Sequence, residues 1–105
     1  MNWFYLILGG VFEIGWPLGL KLSQTMNSKA FGLVMAGISM ALSGLFLWMA
    51  QKTIPIGTAY AVWTGIGAVG TLFIGIIIFN DSASFWRMFS ALLIIIGIVG
   101  LKLAH

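Results

Sequence analysis

Only 7% of this 105-residue chain is charged, with two acids against five bases. A soluble domain carries roughly 25% Asp, Glu, Lys and Arg, so too few ionised groups are present to clothe a globule of this size in water. Cysteine is absent and the single histidine, His105, ends the sequence. Thiol catalysis, disulfides and His/Cys metal cages are thereby excluded. The bases Lys21, Lys29, Lys52, Arg87 and Lys102 stand singly, and a net charge of +3 spread this way offers no nucleic-acid surface. No P-loop or dinucleotide fingerprint occurs, because Gly65-Ile66-Gly67 fails the required spacing. Neither a cofactor nor an enzymatic activity is expected. The N-terminus lacks a basic n-region and its first apolar stretch contains Glu13, so it reads as mature sequence rather than a secretory signal.

What is abundant is apolar: 61% of residues are hydrophobic and the mean hydropathy is +1.11. The expected class is an all-α integral membrane protein forming a single domain, with spans at about residues 3–21, 30–51, 56–79 and 85–103. The fourth is the weakest, since its uninterrupted apolar run covers only ~21 Å of helix and requires Arg87 and Lys102 to snorkel outward. Polar SQTMNSK, Lys52 to Pro55 and NDSAS separate the spans, with Pro55 suited to the first turn of span 3 and the serines and Asp81 suited to capping span 4. This topology sets Lys21, Lys29 and Arg87 against Lys52 and Lys102. Three bases against two give the positive-inside rule little preference, so insertion in both orientations is expected.

Glu13 is the only acid inside any span, near the midplane of a core ~30 Å thick. An ionised group there costs at least ~2.5 to 3.5 kcal/mol, and no base lies at similar depth to offset it. Desolvation favours the protonated acid, whereas a bound cation favours the carboxylate. Protons and cations therefore compete for one group, which is antiporter chemistry. A permanently protonated Glu13 acting as an interhelix donor is the bland alternative. On the same helix, Gly9 and Gly10 leave room, Trp16 supplies a π-face and Pro17 follows it. Tyr60, Trp63, Thr64, Gly67 and Thr71 recur at helical spacing in span 3. Such a stripe suits a cation, because aromatic faces attract desolvated cations by up to ~2 kcal/mol. Ser39 and Ser43 share a face of span 2, and either could orient Glu13. Ordinary packing or an interfacial belt fits Trp3, Phe4, Trp48 and Trp86 better than Trp16 or Trp63. Gly15 with Gly19 and Ser39 with Ser43 are small-residue pairs suited to helix contact, while Gly97 and Gly100 notch a span 4 with no central polar group. That face is suited to assembly. Four short helices cannot alone enclose a pathway, so a homo-oligomer is expected, naturally an antiparallel dimer if insertion runs both ways.

These residues resemble the small multidrug resistance family, and within it the guanidinium exporter branch. The resemblance covers essentially the whole chain. It is carried by Trp3, by Glu13 with Trp16 and the GLK ending at Lys21, by Lys52 with Pro55, by GTAYAVWTGIGAVG from Gly57 to Gly70, and by GIVGLK from Gly97 to Lys102. It implies a proton-coupled exporter in the bacterial inner membrane, an antiparallel homodimer whose two copies of Glu13 serve one small organic cation and protons. Trp16, Ser43, Tyr60 and Trp63 occupy the family's binding-pocket positions, with Gly10, Pro17, Thr64 and Gly67 expected to shape the pocket and Gly97 and Gly100 the dimer contact. Pro17 departs from the branch, which has a small non-proline residue there, and so bears on substrate range; the loop before Ala30 is slightly longer, and Asp81 replaces a more common Glu. Two other readings stay open: a broad exporter of quaternary ammonium or lipophilic cations, and a membrane subunit needing a paralogous partner.

Overall fold

Apolar runs of twenty or more residues satisfy their backbone hydrogen bonds in a bilayer by forming helices. The computed structural model describes residues 2–25 and 28–104, and these form α1 (Asn2–Thr25), α2 (Lys29–Ala50), α3 (Ile56–Ile78) and α4 (Phe85–Ala104). All four are long and apolar enough to cross a membrane. No strand occurs among the described residues. Met1, Met26, Asn27 and His105 fall outside that set.

Several boundaries differ from the sequence expectation for local reasons. Helix α1 runs a turn beyond Lys21, where the hydroxyls of Ser23 and Thr25 donate back to the carbonyls of Leu20 and Lys21. Pro55 sits one residue before α3, and its carbonyl receives the Ala59 N–H at 2.9 Å. Ser84, and not Asp81, accepts the Arg87 N–H at the start of α4. The weakest span by hydropathy is α1, at 1.3 against 2.0 for α4. Lys102 is exposed and Arg87 half-buried.

Helix α1 is the centre of the packing. It lies along α2 and α3, while α4 packs its backbone on α3 alone. The result is a slab with Cα extents of 45 × 34 × 17 Å. Contact between α1 and α2 depends on small residues meeting in register. Gly9 faces the Ser43 carbonyl, Gly15 faces Ser39, and Gly19 approaches the backbone of Gly32 and Ala36. Leu6, Ala50, Ile54, Ala59 and Val62 form a buried core where the N-terminus meets the loop from α2 to α3. Asn2 bonds Thr53 across that end, and Lys52 and Lys102 lie 4.6 and 4.8 Å from the rings of Trp48 and Trp3. Cation-π contacts at the headgroup level hold both lysines without burying their charge.

A Cβ at Gly19 would lie 2.7 Å from the Ala36 nitrogen and the Gly32 oxygen, and backbone atoms cannot rotate away. Gly19→Leu should therefore separate α1 from α2 and lower the thermal midpoint in detergent, at a cost of about 1–3 kcal/mol. Gly57→Ala, where nothing lies within 4 Å, should leave the midpoint unchanged.

Candidate functional site

Glu13 occupies the middle of α1, partly buried, with its side chain against Gly67 of α3. A Cβ at Gly67 would collide with the Glu13 side chain, so glycine there is what lets the acid lie between the two helices. One turn further along α1, the Trp16 indole N–H donates to the carboxylate. The sequence suggested a π-face at Trp16; its polar edge makes the contact. With one lone pair engaged by Trp16, a carboxylate retains further acceptor sites.

The acid stands at the junction of two cavities. One, of about 400 Å³, runs from Glu13 and Trp16 to Met40, Ser43, Leu47, Tyr60, Trp63 and Thr64. The other, of about 310 Å³, is walled by Glu13, Trp16, Pro17, Thr64, Gly67, Ala68 and Thr71. The residues singled out from sequence as Glu13, Trp16, Ser43, Tyr60 and Trp63 thus line one space, and Pro17, Thr64 and Gly67 the space beside it. Gly10 lies elsewhere. It is buried under Ile66, where it permits the close approach of α1 and α3. Gly97 and Gly100 have nothing within 4 Å and lie on the least buried helix. Helix α1 continues unbroken through Pro17.

Ser43 has a role that spacing alone does not show. Its hydroxyl donates to the Gly9 carbonyl at 2.7 Å and accepts the Trp63 indole N–H at 2.7 Å, joining α1, α2 and α3 through one buried oxygen. It does not bond Glu13. One lone pair of the hydroxyl remains, directed by the other two bonds. Gly9 was legible only as space beside the acid, yet its carbonyl and its missing Cβ admit this bond. Tyr60 tilts against Trp63 with centroids 5.5 Å apart. It is 57% exposed, so its ring is an open wall of the larger cavity. Thr64 and Ala68 are exposed on the same face. Among the described residues no cluster of three His, Cys, Asp or Glu could hold a metal.

Four membrane-crossing helices around one intramembrane acid define a small multi-pass membrane protein. The chain belongs to the small multidrug resistance family: the family model described as "Small Multidrug Resistance protein" matches residues 1–94. Among its relatives, the guanidinium exporter of Yersinia pseudotuberculosis is 47% identical over 104 residues, covering 99% of each chain. The guanidinium exporter of Escherichia coli K12 is 43% identical, covering 99% of this chain and 98% of its own, and that of Proteus vulgaris is 42% identical across 99% of both.

Replacing Ser43 with alanine would leave the Gly9 carbonyl and the Trp63 N–H without their shared partner. An unsatisfied buried group costs about 1–3 kcal/mol, so Ser43→Ala should lower the thermal midpoint. The Trp63 indole N–H should also exchange faster with deuterated solvent. Unchanged exchange would contradict the three-helix connection.

Proposed function

We propose that this protein exports guanidinium and small guanidinyl cations in exchange for protons, with Glu13 holding either cation or proton by turns. The observation that carries the reading is a lone carboxyl group at mid-helix, engaged by Trp16 and opening onto two cavities. The names of the relatives support the substrate class.

The chemistry follows from the donors and acceptors present. A guanidinium ion is planar, and its paired N–H groups match the two oxygens of a carboxylate in a bidentate fork. The remaining Ser43 lone pair and the Tyr60 hydroxyl are acceptors on the same cavity wall, while Trp63 offers a π-face. When the cation leaves, Glu13 returns to a site with no basic partner and takes up a proton. The cycle is therefore an exchange at one group reached alternately from each side. The exposed face of Tyr60, Thr64 and Ala68 calls for a cover, and a second copy in antiparallel orientation would supply one together with a second Glu13. The near balance of basic residues across the membrane supports such dual insertion, and the bacterial inner membrane is its proposed location.

Glu13→Gln should abolish guanidinium-driven proton movement in proteoliposomes, because an amide cannot cycle between proton and cation. Glu13→Asp should retain part of it. Full exchange by the Gln variant would overturn the mechanism.

Protons and substrate occupy one group, so lowering the pH should weaken apparent guanidinium affinity, approaching about tenfold per pH unit for one competing proton per site. Equilibrium binding to the purified protein across a pH series would check this. Affinity independent of pH would show that Glu13 does not hold both ligands.

A further inference from the structure

The chain has two acids, and both rest against glycines of α3. Glu13 packs on Gly67 and Asp81 on Gly75, where a Cβ would strike the Asp81 carboxylate. At 1.5 Å per residue these glycines lie roughly 12 Å apart along the helix axis. Asp81 is turned back by Asn80, whose φ of 58° is the left-handed conformation that asparagine tolerates, and its backbone N–H donates to the Gly75 carbonyl at 3.0 Å. The backbone holds this turn, leaving the carboxylate exposed on the wall of a third cavity. That cavity measures about 270 Å³ and also includes Lys21, Thr71 and Phe79.

The Asp81 cavity and the smaller Glu13 cavity share Pro17 and Thr71 as walls. Two adjoining cavities thus lie along the groove between α1 and α3, the outer one at Asp81 and the inner one at Glu13, with Thr71 common to both and Thr64 on the inner one. Pro17, common to both cavities, has no N–H and so cannot give the Glu13 carbonyl the helical hydrogen bond from four residues on.

We propose that Asp81 and Thr71 form an outer cation-binding site in series with Glu13, taking a small planar organic monocation of the guanidinium class as it arrives at or leaves the intramembrane site. This rests on the reading of Glu13 as the inner site. Asp81 is exposed, where water and salt screen its interactions, so it binds weakly and raises the local cation concentration at the mouth of the groove. Lys21 on the same wall opposes accumulation, which keeps the site shallow enough to release the cation inward.

Two measurements on the purified full chain test this. With radiolabelled guanidinium in proteoliposomes, Asp81→Asn should raise KM about two- to fivefold at low ionic strength, the range of one exposed charge interaction, with the effect in KM rather than kcat. High salt should erase the difference, and Asp81→Glu should restore the parent KM. A KM unchanged at low salt, or raised equally at both ionic strengths as a disturbed turn would do, overturns the proposal. In detergent micelles, guanidinium added to Glu13→Gln should still shift the Asp81 side-chain carboxyl resonance. No shift there overturns the outer site, whereas sustained transport by Glu13→Gln overturns the inner one, so the two failures are distinguishable.

Discussion

Glu13 sits in the middle of a membrane-spanning helix, while Lys21, Lys29, Lys52, Arg87 and Lys102 all lie at or near helix ends. A carboxylate at that depth, with no basic neighbour, costs several kcal/mol to ionise in place. The surroundings reduce this cost without removing it. Trp16 donates one hydrogen bond, Gly67 yields the space the side chain occupies, and the adjoining cavities give room for a counterion. A lysine or arginine at the same depth would have neutralised the acid permanently. Its absence leaves the carboxyl group without a fixed counterion, which is what the proposed exchange requires.

The polar contacts around Glu13 are also structural. Membrane helices gain little from hydrophobic burial against one another, so close packing of small residues and interhelical hydrogen bonds carry their association. The α1–α2 contact follows this rule at Gly9, Gly15 and Gly19, and Ser43 ties the same pair to α3 through Trp63. Ser43 and Trp63 therefore both line the larger cavity and take part in the hydrogen bonds that join the helices. A cation reaching that wall meets groups whose directions the helix packing has already fixed. On the other side, α4 packs its backbone on α3 alone, reaches α1 through side chains such as Lys102 on Trp3, and leaves a broad apolar face. Gly97 and Gly100 lie on this helix with nothing within 4 Å of either.

Much of this could be read from residue order because the bilayer simplifies the problem. Long apolar runs must become helices, so the number of spans and the depth of Glu13 followed from charge positions alone. The Tyr60, Trp63 and Thr64 stripe was legible for the same reason, since residues three and four apart share a face. Contacts set by tertiary direction were not. The periodicity of α2 brings Ser43 to the interface without saying that its hydroxyl bonds Gly9 and Trp63, and the aromatic character of Trp16 drew attention to its face rather than its N–H. Asp81 looked like a helix cap because of the serines after it. The signal for its actual position was Asn80, a residue suited to the left-handed turn that sends the chain back toward Gly75.

The central claim is that cation and proton exchange at one carboxyl group. The most direct measurement is proton movement driven only by a guanidinium gradient across proteoliposomes containing the purified chain, followed with a trapped pH dye. Guanidinium flowing out of the vesicles should carry protons inward against no initial pH difference and acidify the lumen, and an equal gradient of sodium should leave the pH unchanged. Guanidinium efflux with no accompanying proton influx would contradict exchange at Glu13.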